Sequence, residues 1–247
     1  DDESEAEYAI RAANALEATL LREGPETVAA LIVETVGGAS LGAVTASAGY
    51  FHRIREICDQ YEILLIADEI MCGTGRTGTF FAYEQEGFLP DIVTLAKGLG
   101  GGYQPLAATI ARHKIAQLFA AEGNAFDHGH TYVGHASTCA AGAGVVDAIE
   151  KYQLLGAVTH QGHLLHDRLV EHFRDHPYVG DIRGRGLLRA IEFVVDKHHK
   201  TPLPNGPALA RQLRDTAMRH GLICYPGGGS PGHGCHILFA PPFILTD

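Results

Sequence analysis

Apolar residues recur with helical spacing over 5–22, and the pattern stops at Gly24-Pro25. The next apolar run, VAALIVE at 28–34, is short and β-branched enough to predict a buried strand. A helix-like stretch, GYFHRIREICDQY, precedes a second buried run, ILLIADE, that starts at Ile63. Beyond a glycine-rich loop and the short FFAYEQEG segment, a third run, DIVTLA, leads straight into Lys97, and a fourth, PLAATIA, starts at Pro105. Buried strands separated by helices rather than by tight hairpins predict an α/β layer: a mostly parallel central sheet with helices on both faces.

From Ser137 the character changes. STCAAGAGVVDAIEKY predicts a helix of small residues that packs closely, and 154–174 predicts a long helix. Beyond Pro177 come RGRGLLRAIEFVVD, a polar PLPNG loop, a helix over 208–220, and short strands at LICY and HILF. The division expected is a large domain over 1–155 and a smaller C-terminal α+β domain over 156–247. The glycines Gly227 to Gly229 predict a turn, and neither internal repeats nor low-complexity tracts interrupt the chain.

With 247 residues, 46% of them hydrophobic, the chain can bury a substantial core. It holds no apolar run of roughly 18 residues or more, and its first residues have neither the basic head nor the apolar centre of a signal peptide. The expectation is a soluble, cytoplasmic globular protein. A formal charge of −10 and a pI near 5.8 disfavour nucleic acid and anionic membrane as partners, since both attract clustered basic residues. A small molecule is the expected partner. Five scattered cysteines suggest neither a disulfide framework nor a thiolate metal site.

Candidate chemistry gathers where the apolar runs end. Asp68 and Glu69 close a run that otherwise reads as buried, where two acids are costly unless paired or solvated in a loop mouth. Lys97 ends DIVTLA and meets GLGGGYQP, backbone too small to shield it. Such a lysine either snorkels to solvent or, partly desolvated, becomes a nucleophile able to form a Schiff base. In open parallel sheets ligands bind beyond the carboxyl ends of the strands, where all three residues stand. The loop GTGRTG, with Gly73, Gly75 and Gly78, satisfies the dinucleotide-binding spacing, yet DEIMC intervenes after the strand and no helix pattern begins at the last glycine. The better expectation is a flexible loop from which Arg76 reaches an anion or an acid. His128, His130 and His135 in HGHTYVGH invite a metal reading without an acidic or thiol ligand beside them, and His233 and His236 around Cys235 form a weaker cluster. Both sets are expected in loops.

Taken together, LLIADEIMCGTGRTGTFFAYEQEGFLPDIVTLAKGLGGGYQPLAA resembles the signature region of the class III (ω-amino acid:pyruvate type) aminotransferases, a branch of the fold type I enzymes that use pyridoxal 5′-phosphate (PLP). The acidic pair, G-x-GRTG, PDI, lysine followed by Gly-Leu, and GGY-x-PL occur in order, and the likeness continues through HGHTYVGHASTCAAGAGVVDAI and RGRGLL to FAPPFI. The resemblance implies that Lys97 forms a Schiff base with PLP and then shuttles the substrate proton. It implies that Asp68 keeps the pyridine nitrogen protonated, that Ile70 packs on one ring face, and that Glu34 orients groups near the site. Thr131 would donate to the PLP phosphate of a neighbouring subunit, which makes the expected assembly a homodimer with its sites at the interface. The family also has well over a hundred residues before the position of Asp1, including a Ser-Gly turn for the cofactor phosphate and a stacking aromatic. Its C-terminal domain runs past FAPPFILTD, so the chain reads as a portion that would bind PLP poorly alone.

In relatives that act on ornithine-like or γ-amino acids, an arginine in the strand before APP grips the substrate carboxylate and a glutamate gates it. Leu238 and Ala39 stand at those positions. The implied reaction is amino-group transfer from an amine or ω-amino acid to a keto acid such as pyruvate. An aminomutase or racemase on the same scaffold shares Lys97 and Asp68. A nucleotide-binding module using GTGRTG and a non-catalytic remnant are the readings from other classes.

Overall fold

Ser4 starts the first helix. Its hydroxyl accepts from the Glu7 amide while the Glu7 carboxylate accepts from the Ser4 amide at 2.8 Å, so two amides that the helix leaves unpaired are satisfied reciprocally. Helix α1 (Glu5–Glu23) stops at Gly24, whose φ of 86° suits glycine, and buries Ala9, Ala13 and Leu20. The structure, a computed structural model, describes residues 3–228 and 234–246. They divide into two units: Asp1–Thr35, Ala46–Thr74 and Phe81–Lys151 in the first, and Val36–Thr45, Gly75–Phe80 and Tyr152–Asp247 in the second.

In the first unit, β1 (Ala30–Glu34), α2 (Tyr50–Gln60), β2 (Leu64–Asp68), β3 (Ile92–Leu95) and β4 (Ala108–Ala111) follow α1. The sheet order is β1-β2-β3-β4, with the first three strands parallel and β4 antiparallel to β3. Between β3 and β4 the chain makes only a 3-10 turn, Lys97–Gly100, and further turns; without a crossover helix it doubles back. Helix α2 turns Phe51, Ile54, Ile57 and Cys58 inward against Ala13 and Leu20 of α1 and Leu65 of β2. Leu31 and Val33 join this core, and Ala67, Val93 and Leu95 continue it toward Leu99. The alternate residues point to the other face, where Ile32 is 59% exposed.

Helix α3 (His113–Ala120) is absent from the sequence expectation: it spaces Ile115, Leu118 and Phe119 as a helix does, but it is only eight residues long and buries none of them. Helix α4 (Ala136–Lys151) is the small-residue helix: a Cβ on Gly142 would run into Leu106.

The second unit holds α5 (Leu154–Phe173), β5 (Val179–Arg185), β6 (Leu188–Asp196), β7 (Thr201–Pro202), α6 (Gly206–Arg219), β8 (Tyr225–Gly227) and β9 (Cys235–Phe239). Its sheet runs β5-β6-β9-β8 with every pair antiparallel, and β7 adds to β6. Gly186 and Leu187 turn β5 into β6, with Gly186 in the left-handed region at φ 54°. The strand expected at LICY starts only at Tyr225. Leu222 and Ile223 are 48% and 80% exposed, and the Leu222 amide is still bonded to Ala217 of α6, so neither joins the ladder. Gly227 belongs to β8 rather than to a turn, and Gly229 lies outside the described residues.

Asp91, just ahead of β3, fastens the first sheet. It is 1% exposed and accepts from the Leu65 amide at 3.0 Å, from Arg55 at 2.8 Å and from Lys114 at 2.7 Å. Burial pushes its carboxyl up, but the Leu65 amide, Lys114 and Arg55 outweigh that and hold it at about 2. A carboxyl depressed in the folded state stabilises above its unfolded value, near 3.8, and the stabilisation disappears as pH falls through about 2. Urea unfolding between pH 6 and pH 2 should therefore show a loss of about 2–3 kcal/mol that Asp91→Asn abolishes, the variant being less stable than wild type already at pH 6.

Candidate active site

Parallel pairing aligns the carboxyl ends of the first three strands. Glu34 of β1 is in register with Asp68 of β2, and Asp68 with Thr94 of β3. Registered residues point to the same face, so the three polar side chains form a row at one edge of the face opposite the α1–α2 core. Lys97 follows Thr94 by three residues, which keeps the two Cα atoms within about 10 Å. Glu34, Asp68 and Lys97 are thus brought to one sheet edge. Asp68 is half-buried, and its Oδ1 accepts from the Ile70 amide at 3.0 Å, which fixes both the carboxylate and the start of the following loop.

Glu69 is not the solvated acid of a loop mouth. It is 1% exposed, and its carboxylate accepts from the Thr35 hydroxyl at 2.8 Å and from the amides of Ala82 at 2.8 Å and Tyr83 at 2.9 Å. Its amide donates to Thr94 O at 3.0 Å. Lys97 adopts φ 44°, in the left-handed region, and opens the 3-10 turn that ends at Gly101 with φ 59°. Its side chain is exposed, so the partial desolvation expected of a nucleophilic lysine is not found in this chain. Thr94 is a site residue that the sequence reading passed over. Its Oγ1 is buried without a hydrogen-bond partner among the described residues, although a lone hydroxyl in an apolar run already marks it in DIVTLA.

Other expectations fall out differently. Thr131 stands in an exposed turn off the sheet, so strand pairing does not bring it beside Glu34 and Asp68. Arg76 turns to carbonyls rather than to an acid among the described residues: its Nη1 donates to Leu187 O at 3.2 Å and Pro241 O at 2.6 Å, and its guanidinium carbon lies 4.5 Å from the centre of the Phe243 ring. Burial pushes its guanidinium down to about 10. After Asp68 the GTGRTG loop makes turns, with Gly75 and Gly78 at positive φ, and no helix starts at Gly78, which leaves dinucleotide binding without its scaffold. The rings of His128 and His130 meet edge-on at 5.1 Å, and the His135 ring approaches the hydroxyls of Ser137 and Thr138. His236 is buried in β9 with Nε2 donating to Ala39 O at 3.0 Å, and His233 lies outside the described residues. Leu238 is buried in β9 opposite Ala190.

The family model described as Aminotransferase class-III matches residues 1–247. The chain belongs to the class III aminotransferases. An uncharacterized aminotransferase of Schizosaccharomyces pombe is 41% identical over 99% of the chain and 54% of its own length. A vanillin aminotransferase of Capsicum chinense is 37% identical over 99% of the chain and 52% of its length. Among solved structures, a thermostable (S)-enantioselective omega-transaminase from Thermomicrobium roseum superposes with a TM-score of 0.90 at 37% identity, over 100% of the chain and 53% of that structure. The α/β fold is therefore that of the class III transaminases, and the chain spans about half the length of the curated relatives it matches. Family members depend on PLP.

The loop that follows Asp68 is packed to contact at Gly73, where a Cβ would meet Glu69 O at 2.6 Å and Leu95 Cδ2 at 2.9 Å. Gly73→Ala should cost about 1–3 kcal/mol by overpacking, read as a lowered thermal midpoint, whereas Gly87→Ala, with open space around it, meets only the strain of its φ of 68°.

Proposed function

We propose that the protein carrying this chain transfers an amino group from an amine or ω-amino acid to a keto acid such as pyruvate, using PLP held by Lys97 and Asp68. The observation that carries this reading is the register that puts Asp68 beside Thr94, three residues before Lys97. The donor set fits the cofactor. Asp68 offers a carboxylate at a half-buried strand end, Lys97 an amine, and Thr94 a buried hydroxyl whose hydrogen-bonding capacity the described residues leave unused.

When bound, PLP supplies an electron sink for the electrons of the substrate C–H bond. Asp68 would accept a charge-assisted hydrogen bond from the ring nitrogen and keep it protonated. Lys97 Nζ would hold the cofactor, and the same amine would take the substrate proton and return it. Ile70 would cover one ring face, and Glu34 would orient groups near the site from the adjoining strand. Thr131 donates to the cofactor phosphate of a partner subunit, which makes the working form a homodimer. In this assignment the first unit is the PLP-binding part, the second belongs to the small domain, and the protein works in the cytoplasm.

The substrate class is supported by Leu238 and Ala39, which offer neither a guanidinium fork for a carboxylate nor an acid to gate it. The vanillin aminotransferase and the omega-transaminase among the similar proteins support an amine donor, and a gamma aminobutyrate transaminase of Solanum lycopersicum, 36% identical, supports an ω-amino acid. Borohydride reduction of the full-length protein with PLP, followed by peptide mass analysis, should place one phosphopyridoxyl group on the Lys97 peptide and none in Lys97→Ala. An adduct elsewhere, or none in wild type, overturns the assignment. Turnover of an amine should also stop when the keto acid is withheld, whereas an aminomutase or racemase would continue.

A further inference from the structure

Asp68 and Glu34 are each followed by a residue that the proposed chemistry does not use. Glu69 follows Asp68 and Thr35 follows Glu34, and the two bond to each other: Thr35 Oγ1 donates to Glu69 Oε1 at 2.8 Å. The same oxygen accepts from the Tyr83 amide, and Oε2 accepts from the Ala82 amide with Cys72 Sγ at 3.6 Å. Through its backbone, Glu69 also joins Thr94 O of β3 and the Gly73 amide of the loop. One buried carboxylate therefore ties together the exits of β1 and β2, a carbonyl of β3, and both ends of the loop between residues 69 and 83.

We infer that Glu69 is a positioning residue that holds Glu34 and Asp68 in the geometry PLP requires before the cofactor arrives; the inference rests on the function proposed above. A ligand-binding carboxylate is useful only when held within about 0.5 Å of its working position. Asp68 has one local restraint, the Ile70 amide, on a residue that itself follows Glu69. The carboxylate has only acceptor oxygens to offer, and it accepts at once from the Thr35 hydroxyl and the Ala82 and Tyr83 amides, with Cys72 Sγ beside them, so one buried group fastens several segments. Glutamine at this position has the same size but turns an NH2 toward one of these donors, leaving it unsatisfied in a buried site. The clasp then opens, and the Asp68 carboxylate is free to shift.

The test compares full-length wild type, Glu69→Gln and Thr35→Val. Hydrogen exchange without PLP reports the clasp itself; PLP titration and the pH dependence of the bound cofactor's visible absorption report Asp68. Glu69→Gln should speed exchange at Ala82 and Tyr83 and weaken PLP binding by about tenfold or more, and it should move the pH midpoint of the absorption. Thr35→Val, which removes a single donor, should change all three in the same direction by less, and it carries the comparison alone if Glu69→Gln does not fold. Unchanged exchange overturns the clasp. Faster exchange with unaltered PLP affinity and pH profile overturns the positioning role and leaves Glu69 a stabilising residue. A wild type that takes up no PLP overturns the functional assignment instead, and the clasp is then decided by the exchange rates alone.

Discussion

The candidate site depends on the parallel hydrogen bonding of β1, β2 and β3. That ladder places Glu34, Asp68 and Thr94 side by side although they are far apart in the chain. Because side chains alternate faces, a slip of one residue in either pairing would send Asp68 into the apolar core and bring Ala67 to the working face. Register is held by what lies on the covered side, where Leu65 and Val93 are buried and Leu31 and Val33 pack against the same core. Packing on one face thus sets the chemistry of the other.

Two buried carboxylates secure the two ends of this sheet by different means. Asp91, at the entrance to β3, is surrounded by Arg55, Arg112 and Lys114, and is held ionised far below the ordinary carboxylate range. Glu69, at the exit of β2, is bound by a hydroxyl and two amides. A cationic cage at the second place would put positive charge one residue from Asp68, the carboxylate that must meet a protonated nitrogen. Neutral donors anchor the strand end without that competing field.

The apolar runs made the strands of the first unit legible, because each is short, β-branched and closed by a polar residue where it leaves the sheet. Lys97 and Asp68 were legible for the same reason, as charged residues ending buried runs, and the family resemblance gave them roles. Three things were hidden. Helix α3 spaces Ile115, Leu118 and Phe119 as a helix does, but over eight residues only, too short a run to stand out beside the longer periodic segments. The turn at Gly186 and Leu187 lies in the unbroken run RGRGLLRAIEFVVD, where no Asn-Gly or Asp-Gly pair marks the reversal. Arg76 reads as a ligand-seeking charge, yet its Nη1 is taken by the carbonyls of Leu187 and Pro241, groups that exist at every position and leave no trace in the sequence.

The backbone at Lys97 sits at φ 44°, a conformation open to glycine and uncomfortable for a side chain with a Cβ. By stability alone, residue 97 should be glycine, in keeping with the glycines that follow it. The chain keeps a lysine there, so folding and chemistry make opposite demands on one residue. This is local frustration, confined to a single turn and carried by the well-packed strands on either side of it. Selection for a more stable protein would remove the amine before it touched the core.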